Sequence, residues 1–184
     1  MVAANVIAQD LSRWFHSVMI DQGADAGVRA GMPVISGSGV VGIVAGTTPG
    51  ASKVLLVIDL QSRVDAYVQR SRARGTVRGR SEEDCEFDYV LREADVVEGD
   101  QLLTSGLGSV YPKGLVVGYV SQVERKSYGL FQTVRVVPAV DFRKLEEVFV
   151  ILEERKLPAD SEFSARDGEM WEQEEPIGAG DVRR

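Results

Sequence analysis

The chain has 184 residues, 44% of them hydrophobic, which is enough for a real core in one ordinary domain or two small ones. Ten acidic and five basic residues fall from Glu153 onward, so most of the formal charge of -7 belongs to the tail, and residues 1–152 carry only -2. A near-neutral body lacks the concentrated positive field that a nucleic-acid partner requires. One cysteine, Cys85, excludes an intrachain disulfide and leaves the compartment open, and one histidine beside it argues against a zinc site. No run approaches the ~20 apolar residues of a membrane helix, and no basic-plus-apolar leader opens the chain.

Taken in order, short apolar or alternating runs broken by Gly, Pro, Asp and Ser predict twelve strands: 5–8, 15–20, 33–35, 40–45, 53–58, 64–69, 75–77, 85–91, 101–103, 115–123, 131–137 and 148–152. Helical periodicity is confined to a turn or two near Ser62 and over 142–147. The fold class is therefore all-β, sandwich or barrel. From Glu153 the apolar residues thin out and acids take over, so residues 153–184 are expected to be a mostly disordered acidic tail. Trp171 in that tail reads as a solvated aromatic or as an anchor.

The sequence repeats itself. "VRAGMPVISGSGVVGIVAG" parallels "VVEGDQLLTSGLGSVYPKGLVVGYVSQV", matching Gly31 to Gly99 and Gly42 to Gly118 as turn glycines, and "DLQSRVDAYV" parallels "DFRKLEEVFV". Twelve strands in two copies of six imply two small six-stranded barrels. "VDAYVQRSRARGTVRG" reads as a tight hairpin that straddles the repeat boundary, which favours strand exchange between the copies. Trading the last two strands of each copy gives a discontinuous first barrel of 1–46 and 125–152 and an inserted second barrel of 47–124. "GTTPGA" and "ERKSYG" would then be the crossings, and sequential barrels are the alternative.

Several segments invite a chemical reading. Gly37, Gly39 and Gly42 have the G-x-G-x-x-G spacing, with Asp59 downstream, but "IVAGTTPG" after Gly42 is unsuited to the helix a dinucleotide site needs. His16 lies within a strand run and reads as a surface or half-buried strand residue rather than a catalytic one. Ser105 in "LTSGLGS" would need a histidine in reach to act as a nucleophile, and the preferred threading puts His16 in the other barrel. Arg70, Arg72, Arg74, Arg78 and Arg80 read as a solvated hairpin edge or as a docking face for an acidic partner. Leu107, Val110, Tyr111, Pro112 and Leu115 place large apolar groups in a turn, where they either plug a barrel end or form an interaction surface.

At "GDQLLTSGLGSVYPKGLVVGYVSQV", and over most of residues 4–152, the chain resembles the rod-shape-determining MreC family. Glycines and apolar residues carry the likeness, which thus speaks to fold rather than chemistry. The resemblance implies a non-catalytic periplasmic scaffold of bacterial cell elongation without a cofactor, anchored at the inner membrane. Its implied partners are a class B penicillin-binding protein, RodA, MreD and MreB, together with self-association as a dimer or filament. The membrane helix and coiled coil of the family pattern do not appear in this sequence, and the acidic tail exceeds the usual core. The competing reading is a small-ligand or nucleotide-binding barrel, or a hydrolase, built on the Gly37 segment or Ser105.

Overall fold

The computed structural model describes residues 1–152 apart from 13–14, 82, 109 and 126; the expected tail with Trp171 lies outside the described residues. Twelve strands follow in chain order: β1 (Val2–Leu11), β2 (His16–Ile20), β3 (Pro33–Ile35), β4 (Val40–Thr47), β5 (Ser52–Leu56), β6 (Arg63–Val68), β7 (Arg74–Gly79), β8 (Cys85–Asp88), β9 (Gln101–Thr104), β10 (Val116–Glu124), β11 (Thr133–Pro138) and β12 (Glu147–Val150). The only helical pieces among the described residues are 3-10 turns at Ala24–Ala26 and Phe142–Lys144. No helix there is long and apolar enough to cross a membrane.

The strands close into two barrels, ordered β1-β12-β3-β4-β5-β2 and β10-β11-β8-β7-β6-β9. Closure leaves no sheet edge, and in each barrel alternate side chains fill the interior. Val18, Ile20, Val34, Val54, Leu56 and Val148 are inaccessible in the first; Val68, Val77, Phe87, Leu102, Val134 and Val136 are inaccessible in the second. β-Branched residues dominate both interiors because a branched Cβ packs well on a pleated surface.

The two barrels obey one plan. Taking β1 to β5 as the counterparts of β7 to β11 except for order of use, with β12 standing for β6, turns one strand order into the other. Each repeat thus surrenders one strand, its sixth, to the other barrel. This corrects the expected exchange of two. β5 stays beside β4, and β11 stays beside β10. The reason is the same short-hairpin rule that pairs β6 with β7: Thr47 and Ser52 are already a cross-strand pair, and Thr48 closes the intervening turn on the Ala51 carbonyl at 2.8 Å. "GTTPGA" is therefore a hairpin turn. The chain crosses between barrels over 57–62 and again over 139–146.

Equivalent glycines perform equivalent tasks. Gly31 and Gly99 have φ of +90° and +87°, and each donates its N–H at 2.8 Å to a strand carbonyl, Val44 and Val120 respectively. Gly42 and Gly118 are strand rather than turn residues. Each sits at a register shift, where a neighbouring strand's backbone comes so close that a Cβ would collide with the carbonyl of Leu55 or Val137. The crossings match too: Asp59 accepts from the Gln61 N–H at 2.8 Å, and Asp141 accepts from the Arg143 N–H at 3.1 Å. Asp59 is wholly buried and also accepts from the His16 N–H at 2.8 Å, which ties the first crossing to β2.

Candidate partner-docking surface

The loop after β9 divides by burial. Thr104, inaccessible to solvent, holds it by donating to the Pro112 carbonyl at 2.5 Å and accepting from the Leu115 N–H at 2.9 Å. Tyr111 turns inward, joins the core and has its phenol pushed up by burial. Leu115 packs half-buried against the same core. Leu107, Val110 and Pro112 remain outside, and Leu107 is 66% exposed. The plug and the surface are thus one loop, and Tyr111 belongs to the plug.

Leu107 is not isolated. With Tyr89, Arg74 and Ser105 it lines a shallow groove of about 360 Å³. Tyr89 adopts φ +63°, a conformation unusual for a residue with a side chain, and meets Phe131 edge-on with ring centroids 5.9 Å apart. Phe131 pairs with Leu91 as an isolated bridge, and the Arg92 N–H donates to the Leu130 carbonyl at 2.9 Å. Tyr89, Leu91, Leu130 and Phe131 are between 44% and 67% exposed, so apolar surface runs from Leu107 across the groove to the β10–β11 loop. Sequence reasoning missed this half by treating "ERKSYG" as a polar crossing. The available signal was Tyr128, Leu130 and Phe131 within four residues of a hairpin loop.

Charge at the groove is sorted by partner. Arg70 forks onto Asp100 and Asp95, with Nε 2.9 Å from Asp100 Oδ1; that hydrogen bond holds the Asp100 carboxyl below the usual carboxylate range. Arg78 pairs with Glu86 and Asp88. Arg72, at φ +64°, instead lays its guanidinium over the Tyr67 ring at 5.0 Å, and Lys113 Nζ approaches the same ring at 5.9 Å. Arg74 is the direct cross-strand neighbour of Tyr67 and is exposed, as is Arg80. The arginine run therefore divides into the ion-paired Arg70 and Arg78, Arg72 and Arg74 around Tyr67, and an exposed Arg80 apart from both.

The features that suggested an enzyme are kept apart. "SGSG" is a tight turn in which the Ser36 N–H donates to the Gly39 carbonyl at 2.8 Å, and strand β4 follows where a nucleotide site needs a helix. His16 lies in the first barrel and Ser105 in the second. The His16 ring is buried, with Nδ1 unpartnered and 3.9 Å from the Asp59 carboxylate. Among the described residues no group of three or more His, Cys, Asp or Glu side chains is placed to hold a metal. A second concavity of about 650 Å³ opens at the barrel junction among Leu11, Ile58, Phe142 and Arg143, and Arg143 meets Glu83 there at 3.0 Å.

Residues 6–152 match the family model described as the barrel core of the rod shape-determining protein MreC. The chain belongs to the MreC family. An MreC from Caulobacter vibrioides, a cell shape-determining protein, is 32% identical over 152 residues. That match covers 83% of this chain and 42% of the relative, so the chain spans less than half of the relative's length. The crystal structure of MreC from Pseudomonas aeruginosa superposes with a TM-score of 0.79 at 33% identity, covering 82% of this chain and 97% of that one. The MreC fold extends to a more distant Helicobacter pylori protein, solved in complex with the penicillin-binding protein PBP2, at a TM-score of 0.62, 19% identity and coverage of 81% and 98%.

Proposed function

We propose that this MreC barrel core is a non-catalytic periplasmic scaffold of the cell-elongation machinery. It docks the elongation transpeptidase, a class B penicillin-binding protein, on the apolar surface of its second barrel. The observation that carries this reading is the run of exposed apolar groups from Leu107 and Tyr89, which line a groove, on to Phe131, Leu91 and Leu130 beyond Tyr89, since aromatic and large aliphatic groups exposed together mark interaction surfaces. The Helicobacter pylori relative in complex with PBP2 supports the choice of partner. Val110 and Pro112 flank the surface, and Tyr111 and Leu115 support it from beneath.

Activation follows when the scaffold binds the active conformation of the transpeptidase more tightly than the resting one, because a ligand shifts an equilibrium only by its differential affinity. Links to RodA, MreD and MreB, self-association, and inner-membrane anchoring through a helix outside this sequence complete the proposal. Sedimentation velocity of the chain mixed with the periplasmic part of the same organism's transpeptidase tests the docking. A faster boundary that Phe131→Asp and Leu107→Asp abolish is expected. No shift at ~100 μM, equivalent to an interaction weaker than ~-5.5 kcal/mol, refutes docking. Transpeptidase turnover unchanged at saturating scaffold refutes activation.

A further inference from the structure

Three exposed cations converge beside the groove without an ion pair among the described residues: Arg72 and Lys113 over the Tyr67 ring, and Arg74 directly across from it and lining the groove. Their neighbours Arg70 and Arg78 are matched to carboxylates, so Arg72 and Arg74 from the β6–β7 hairpin, with Lys113 from the loop after β9, carry the residual positive charge around Tyr67. The groove adds two apolar walls, Leu107 and Tyr89. An occupant that satisfies both needs an aromatic or long aliphatic side chain set among acids.

The chain carries such a segment. "DGEMWEQEE", residues 167–175, holds five acids and no base around Met170 and Trp171. We propose that this segment docks in cis on the second barrel, with Trp171 between Leu107 and Tyr89 and its flanking carboxylates toward Arg72, Arg74 and Lys113. Reach is ample. From Leu152 to Trp171 an extended chain spans roughly 65 Å, against a radius of gyration of roughly 15 Å for a folded body of this size. Asp65 also lines the groove and opposes an acidic guest, but its carboxylate already accepts from the Thr76 hydroxyl at 3.0 Å.

Tethering makes weak recognition sufficient. A covalent tether of this length supplies an effective concentration on the order of 1 mM, so an intrinsic Kd of ~0.1 mM gives about tenfold excess of the docked form. Because Leu107 and Tyr89 belong to the surface proposed for the transpeptidase, the docked segment competes with that partner. This consequence rests on the proposed function; the docking itself does not.

The chain has two tryptophans, so Trp14→Phe leaves Trp171 as the sole indole of this 184-residue chain. Its emission is expected to be blue-shifted, and its acrylamide quenching several-fold weaker than in a free peptide of residues 160–180. Combined Arg72→Glu, Arg74→Glu and Lys113→Glu should return both to the peptide values, as should Leu107→Asp alone or 1 M NaCl for the charge component. Indole quenched as in the peptide, or protected but indifferent to both sets of substitutions, overturns the proposal. Trp171→Ala should tighten transpeptidase binding about tenfold, the reciprocal of the docked excess; unchanged affinity overturns the competition. A transpeptidase that binds neither form refutes the functional reading, while the fluorescence result stands by itself.

Discussion

Replacing Gly42 by Ala is expected to unfold the first barrel far more readily than the same change at Gly31, although both glycines recur in the repeat. Gly42 lies mid-strand between Val34 and Leu56. Its new Cβ would penetrate the Leu55 carbonyl oxygen and stand 2.8 Å from that carbonyl carbon and 3.0 Å from Leu56 Cα. All three obstacles are main chain, so no rotamer relieves them, and β4 must part from β5. Overpacking costs about 1–3 kcal/mol, and each buried ladder group left unpaired adds about 1–3 kcal/mol. The total is roughly 3–5 kcal/mol out of a typical 5–15. At Gly31 nothing lies within 4 Å of the added methyl, and only the φ of +90° opposes it, at roughly 1–2 kcal/mol. Urea unfolding followed by circular dichroism reads the difference as a change in midpoint at constant slope. A cost below about 1 kcal/mol for Gly42→Ala, or one no larger than for Gly31→Ala, would refute the close-approach argument.

Other consequences are accessible in the same assays. Asp100 is held below its ordinary pKa by Arg70, so its contribution is present above the unfolded value near 4 and is lost as pH falls through the folded value. Arg70→Met should therefore lower stability at neutral pH, modestly because the guanidinium is half-exposed to screening solvent, and flatten the stability profile below pH ~4. An unchanged acid profile would contradict this. The Cys85 thiol is 1% exposed and pushed up to about 12 by burial, with Asp84 adding to the effect. At pH 8 roughly one in ten thousand is thiolate, so a disulfide reagent should label it only on unfolding. Full labelling of the native protein within minutes would show that the second barrel opens readily.

Much of the architecture was legible because it rests on local rules. Alternating apolar positions marked the strands, and the matched pairs Gly31/Gly99 and Gly42/Gly118 exposed the duplication. The tight turn between β6 and β7 revealed the exchange of strands between copies. Its extent was misjudged because "GTTPGA" was read as a crossing from its composition, whereas the turn closed by Thr48 and Ala51 keeps β5 beside β4. Composition signals that the backbone turns, but it does not say into which barrel the next strand goes.

The site divides in the same way. Large apolar residues in the loop after β9 announced something unusual, but whether Tyr111 or Leu107 faced water depended on how Thr104 pins the loop to the barrel rim. The meeting of that loop with Tyr89, Leu91 and Phe131 joins segments distant in sequence, for which no local periodicity exists. By itself the sequence determined an all-β duplicated core of the MreC type, since hydrophobic period and turn chemistry are properties of neighbouring residues. The tertiary structure alone decided which strand closes each barrel, which cations have no carboxylate partner among the described residues, and where the apolar surface becomes continuous. Those outcomes depend on distances between residues that only barrel closure brings together.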